Sequence, residues 1–202
     1  MLAQEPLTVI HAALKLASGG FILVIAGVYW RAYGPGNFLW LSDIGLACTV
    51  LAIIFESRLL ASMPAVGVLP LELAWTADFL AGGRLLGLAA YMFDERLPLH
   101  LRGLSLFHLG VPLILVWLLY RNGYDSRAAI WQTGVTWAAL LLSYAFTEPE
   151  KNINWVFGPG REPQQSMPPL LYLGLEMVLM PALMIVPMHF LLQWLFPFPD
   201  NR

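Results

Sequence analysis

Ser105 and His108 stand three residues apart in an apolar stretch, which on a helix makes them neighbours one turn from each other. A hydroxyl beside an imidazole is the minimum for an activated nucleophile, and the competing reading is a purely local hydrogen bond. His108 has the intrinsic pKa suited to proton transfer near neutrality. Asp43 joins His108 and Ser105 as a candidate catalytic residue, and Ser42 beside it is a second candidate nucleophile. Around them lie His100, Arg102, Asn152, Asn154, Trp155 and Glu176, the candidates for a lipid or anion site. Arg102 stays charged and presents a planar fork that suits phosphate or carboxylate. Two histidines with carboxylates are also zinc or iron ligand types. No HExxH or HxxxH spacing occurs, so no metal and no cofactor is expected. The one cysteine, Cys48, excludes an intramolecular disulfide.

What must position these residues follows from composition. The chain has 202 residues, 58% hydrophobic and 12% charged, with a mean hydropathy of +0.67. Soluble domains carry about 25% charged residues, so this chain lacks the polar groups to cover a water-facing surface. A disordered chain is excluded by the same numbers. With a formal net charge of −2 there is no basic surface for nucleic acid. The solvent expected is lipid.

A spanning helix needs about 20 mainly apolar residues. Six stretches meet that reading: residues 7–30, 38–55, 59–80, 99–120, 128–147 and 169–196. Pro64 and Pro70 interrupt the third, Pro181 and Pro187 the sixth. Residues 85–93 are too short to cross alone. The N-terminus opens MLAQEP with no basic region, and its apolar run outlasts a signal peptide. The expected fold is all-α: a polytopic integral membrane helical bundle of about six transmembrane helices, forming one domain over 1–202. Aromatic residues such as Trp30, Trp40, Tyr91 and Trp194 fall near span ends, as in interfacial belts. Orientation is undecided: Arg58, Arg121, Arg127 and Arg202 fall on one face, and Arg31, Arg84, Arg96, Lys151 and Arg161 on the other.

Alternating spans put most polar residues at one end of the bundle. Asp43 opens the second span there, Asp78 closes the third, and His100, Arg102, Ser105 and His108 open the fourth. Glu176 enters with the sixth. Ionisable groups in a bilayer face the bundle interior, a partner or water. One reading is a shared polar cavity; the other is that Asp43, Arg102 and Glu176 pair to hold helices together. Gln132, Thr136, Ser143 and Thr147 make one polar stripe on the fifth span, suited to hydrogen bonds between helices. Met177, Met180, Met184 and Met188 read as packing. The segment 147–165 contains Pro149, Gly158, Pro159 and Gly160, which preclude a continuous helix. Its Ile153, Trp155, Val156 and Phe157 predict a loop folded back as a lid over the polar end.

The run Glu95-Arg96-Leu97-Pro98-Leu99-His100-Leu101, followed by Gly103-Leu104-Ser105, resembles the LPLHLC-type motif of the YwaF-like bacterial integral membrane proteins. The loop Asn152 to Gly158 is similar to that family's asparagine-aromatic loop. The resemblance covers residues 96–158. It implies six or seven helices in a bacterial inner (cytoplasmic) membrane and, through eukaryotic relatives, transfer or hydrolysis of lipid acyl groups. Arg102 stands where the motif has cysteine, so chemistry that uses that cysteine is closed to this chain. Two functional readings remain open. One is a membrane protein that binds or modifies a lipid in a polar cavity, its partners being membrane lipids. The other is a structural or assembly subunit of a larger membrane complex, its partners being other membrane protein subunits. Transport is a third, with no inverted repeat to support it.

Overall fold

The computed structural model describes residues 5–160 and 162–197, with side chains from residue 11 onward. The start of the N-terminal MLAQEP, Arg161 and Arg202 lie outside the described residues. All regular elements among the described residues are helices. They are α1 (Glu5–Tyr33), α2 (Leu41–Phe55), α3 (Arg58–Gly67), α4 (Leu69–Leu80), α5 (Leu99–Leu104), α6 (Phe107–Asn122), α7 (Ala128–Phe146), α8 (Pro169–Met180) and α9 (Val186–Leu195).

The breaks have local causes. Gly34, at φ 81°, and Pro35 end α1. Glu56 closes α2 in a left-handed conformation, and the Ser57 side chain then accepts from Leu60 N at 3.3 Å to start α3. Between α3 and α4 the axis bends by 55°. Pro70 lacks the N–H that would bond to Val66, and its ring collides with that carbonyl, so the helix cannot run straight through. Between α8 and α9 the turn Pro181–Ile185 is a π-helix, an accommodation of Pro181 and Pro187 in one apolar rod.

The six apolar stretches do not all reach spanning length and apolarity. Three helical segments do: His11–Tyr33, Leu99–Asn122 and Pro169–Leu195; the bent α3–α4 pair makes a fourth if taken as one span. By length and apolarity, then, three or four spans are shown among the described residues, fewer than the expected six. α2 has 15 residues; at 1.5 Å each that is about 22 Å, short of the roughly 30 Å hydrocarbon core. α7 has 19 residues, but its buried Gln132, Thr136 and Ser143 lower its apolarity. Residues 59–93 form one broken helix followed by a loop, with only a short 3-10 turn at Ala90–Phe93.

At the centre of the bundle lies α3, packed on α2, α6 and α7, with Ala61 to Gly67 buried throughout. α1 and the α8–α9 arm are peripheral: 11% of each apolar window is buried, against 39% for Leu99–Asn122. Their outward residues are large and apolar, including Leu23, Leu183 and Trp194, each more than 70% exposed. Such a surface is consistent with a membrane protein; in water it would be an aggregation surface.

The α7 stripe faces the bundle. Gln132 Nε2 donates to Thr136 Oγ1 at 3.3 Å, and both side chains are buried. Gly67 on α3 is what lets Gln132 fit, since a Cβ there would come within 2.3 Å of Gln132 Cγ. Gly67→Ala is expected to destabilise the protein by about 1–3 kcal/mol through overpacking. Thermal melting in detergent checks this; a variant melting with the native protein would show that α3 and α7 do not meet this closely.

Candidate functional site

At one end of the bundle, where α1 and α4 finish and α2 and α6 begin, the helices enclose a cavity of about 900 Å³. α4 places Glu72 in it and α6 places His108, and these two form the strongest polar contact there: Glu72 Oε2 lies 2.6 Å from His108 Nδ1. Glu72 is 1% exposed and the His108 side chain 12%. The imidazole stacks on Trp75, ring centroids 4.5 Å apart and planes 21° apart, and on its neighbour Phe107. Glu72 and Trp75 are three apart on α4 and so share a face. With Glu72 as the carboxylate acceptor, Nδ1 carries the ring proton and Nε2 keeps a lone pair. A carboxylate–imidazole pair of this kind can accept a proton from a bound group and return it.

Ser105 is placed differently from its spacing. It caps α5, and α6 starts two residues later, so Ser105 and His108 straddle a tight turn. His108 N donates to Ser105 O at 3.2 Å, and no hydrogen bond joins the two side chains among the described residues. Ser105 Oγ donates to Leu101 O at 3.1 Å, and Tyr29, 3.0 Å away, donates to Ser105 in turn. The hydroxyl lines the cavity as part of a Tyr29–Ser105 pair.

Asp43, in the first turn of α2, also lines the cavity. Its Oδ2 accepts from Asn37 Nδ2 at 3.1 Å, and its Oδ1 is buried without a partner among the described residues. Glu72 Oε1 is buried and without a partner as well.

The segment after α7 folds back over this end as two short 3-10 turns, Pro149–Lys151 and Ile153–Trp155. Asn152 and Asn154 hold left-handed backbone at φ 40° and 54°, which asparagine tolerates better than most side chains. Their amides are committed within the protein. Asn154 accepts from Leu41 N at 3.0 Å and donates to Leu39 O at 2.7 Å and Ser143 Oγ at 3.2 Å. Asn152 donates to Gly158 O and Gly160 O and accepts from Phe157 N. Both line the cavity, but as the framework of its cover. Trp155, at φ 61° with no asparagine-like excuse for it, sits edge-on to Trp40 with centroids 6.3 Å apart. The two indoles form part of the cavity wall.

The wall opposite is shaped by Asp78. Its Oδ1 accepts from Leu85 N, Leu86 N and Gly87 N at 2.8, 2.7 and 3.2 Å, and its Oδ2 from Ala89 N at 2.7 Å. This carboxylate folds the loop that brings Leu86, Leu88 and Tyr91 to the cavity.

Asp43, Ser105, His108, Asn152, Asn154 and Trp155 are thus gathered on one cavity, whereas His100, Arg102 and Glu176 are not among its lining residues. His100 is exposed and lines a groove along α1 with Arg31. Arg102 donates to Met92 O at 3.3 Å, and no ion pair links it to Asp43, Asp78 or Glu176 among the described residues. Glu176 lies on the peripheral α8 with Oε2 buried and without a partner among the described residues. No group of three or more His, Cys, Asp or Glu is placed to hold a metal among the described residues.

Glu72 is the residue that sequence reasoning left out. A carboxylate inside an apolar run is its signal, but Pro64 and Pro70 just before it point first to a broken span. Tyr29, next to the belt residue Trp30, is 3% exposed and turns its hydroxyl inward to Ser105.

The class defined is an all-helical bundle with an apolar exterior and a polar cavity at one end. Compared with protein-family models, curated proteins and solved structures, the chain matches none.

Proposed function

We propose that this is a polytopic protein of a bacterial inner membrane that binds the polar headgroup of a membrane lipid in the cavity and modifies it by proton transfer through His108. The observation that carries the reading is the buried Glu72–His108 pair at 2.6 Å, set in a cavity with unsatisfied acceptors. Buried ionisable pairs inside a bilayer are expensive and are kept where they act. In this reading α1, α2, the bent α3–α4, α5–α6, α7 and α8–α9 are six rods that each traverse the bilayer, the shorter ones locally thinning it. The cavity opens on one membrane face under the 147–165 cover. The bacterial inner membrane rests on the resemblance to the YwaF-like proteins.

His108 would act as the base, its tautomer set by Glu72, and Tyr29 and Ser105 would orient a polar group of the substrate. Arg102, which lines no part of the cavity, would anchor the loop at Met92 rather than bind the headgroup.

A structural or assembly subunit of a larger membrane complex is the second reading. Glu176 favours it: a buried acceptor without a donor, on a peripheral helix, asks for a partner from outside the chain. One experiment separates the two. The protein is purified in mild detergent and its bound molecules identified, and membrane lipids are profiled in cells carrying wild type, His108→Gln or empty vector. Co-purified lipid and a lipid profile changed by wild type but not by His108→Gln are expected. A wild-type profile equal to that of empty vector removes the modifying activity for those lipids. A stoichiometric protein partner in place of lipid moves the assignment to the subunit reading.

A further inference from the structure

The charge inside the cavity has the opposite sign from an anion site. Its lining carries four carboxylates, Asp43, Glu72, Asp94 and Glu150, and one lysine, Lys151. That lysine is engaged by Glu148 at 3.0 Å. Asp94 is likewise paired, with Arg96 at 2.8 Å, which leaves Asp43, Glu72 and Glu150 as the lining carboxylates without a lysine or arginine partner among the described residues. Arg102, the cation that suggested an anion site, is not part of the lining.

Deeper in, two acceptors lack donors. Asp43 Oδ1 and Glu72 Oε1 are buried, and neither has a hydrogen-bond partner among the described residues. The residues that carry them are 9% and 1% exposed. A carboxylate offers only acceptors, so two unsatisfied oxygens in one cavity require N–H or O–H groups from an occupant. The same cavity is lined by the aromatic side chains of Tyr29, Tyr33, Trp40 and Trp155. Aromatic faces attract cations, more strongly where water is displaced.

We propose that the cavity holds a primary ammonium group, carried by a lipid headgroup or by a free amine, between the carboxylates of Asp43 and Glu72. The inference rests on the headgroup-binding reading above for its lipid form and extends it to the chemistry of the headgroup. A primary ammonium brings three N–H donors on a compact charge, enough for both orphan oxygens. A quaternary ammonium would use the aromatic wall but leave both acceptors unsatisfied, and a phosphate would meet repulsion from two carboxylates.

The test uses the full-length protein. In detergent it is titrated with ethanolamine, choline and inorganic phosphate. In phosphatidylglycerol nanodiscs it is compared with and without added phosphatidylethanolamine or phosphatidylcholine. Thermal shift is read throughout. Ethanolamine and phosphatidylethanolamine are expected to stabilise it, binding about tenfold or more tightly than their choline counterparts, since charge-assisted hydrogen bonds are lost with the latter. Asp43→Asn and Glu72→Gln, near-isosteric changes, are expected to weaken the ethanolamine response by a similar factor. Should either variant fail to fold, the comparison of ligands on the wild-type protein decides alone. Choline matching ethanolamine, or phosphate outbinding both, overturns the ammonium site. Lipid binding with no preference for the ethanolamine headgroup also overturns it while leaving the lipid reading standing. A response to free ethanolamine with no lipid effect supports the ammonium site and sinks the lipid reading instead.

Discussion

Replacing His108 with leucine is expected to destabilise the protein by about 3–5 kcal/mol, because it strands Glu72 as a buried carboxylate without its partner. Glu72 is 1% exposed, and its second oxygen already has no donor, so the 2.6 Å contact to Nδ1 is its one hydrogen bond among the described residues. Glu72→Leu alone should cost less, since it leaves a neutral imidazole that keeps its stacking on Trp75. The informative variant is the double substitution. With both partners apolar, neither desolvation penalty remains, and much of the loss should be recovered. A double-mutant cycle measured by thermal melting in detergent must then show strong non-additivity. Additive single effects would mean the two side chains do not act as a pair, and the proton-transfer role of His108 would fall with it. Glu72→Gln completes the set. It preserves an acceptor for Nδ1–H, so it should retain most of the stability while weakening the basicity of the ring.

The features that were legible in the sequence share a cause. Polar residues at helical spacing must face something polar, so the stripe of Gln132, Thr136 and Ser143 announced a buried face of α7 before its partners were known. The same logic marked the 147–165 segment: apolar Ile153 and Val156 between glycines and prolines fold inward, and both are buried. Alternation of spans brought Asp43, Ser105, His108 and the Asn152–Trp155 turn to one end. What stayed hidden depended on rotation and on local breaks. The partner of His108 lies on another helix, and no spacing rule joins residues 72 and 108. The Ser105 hydroxyl and the His108 ring do not pair because, at the turn of Ser105 and Leu106, the hydroxyl bonds back to Leu101 O while the ring turns to Glu72. Hydropathy also does not give an element's length: the apolar stretch 38–55 holds a helix of only 15 residues, because Gly34–Leu39 turns before it and Glu56 closes it.

Asp78 shows how a residue can serve the cavity without entering it, and its removal is expected to have the second large effect. Four backbone N–H groups, from Leu85, Leu86, Gly87 and Ala89, converge on its two oxygens. Those amides lie in a loop with no regular ladder to receive them, and unpaired buried amides are costly. Gly83 and Gly87, at φ 72° and 76°, supply the left-handed turns that aim the chain at the carboxylate. A Cβ at Gly83 would come within 2.6 Å of the Ala90 backbone, so the loop is also tightly closed. Asp78→Ala should therefore release residues 84–90 while the helices persist. Hydrogen exchange followed by mass spectrometry should show the amides of that peptide exchanging about a hundredfold faster or more, with α3 and α6 unchanged. Asp78→Asn keeps one acceptor oxygen and should fall between. Because Leu86, Leu88 and Tyr91 form one wall of the cavity, ligand stabilisation should weaken in proportion to the loosening. Unaltered exchange in Asp78→Ala would show that the loop is held by its apolar contacts with Trp75 and Phe79, and that the carboxylate is not its organising group.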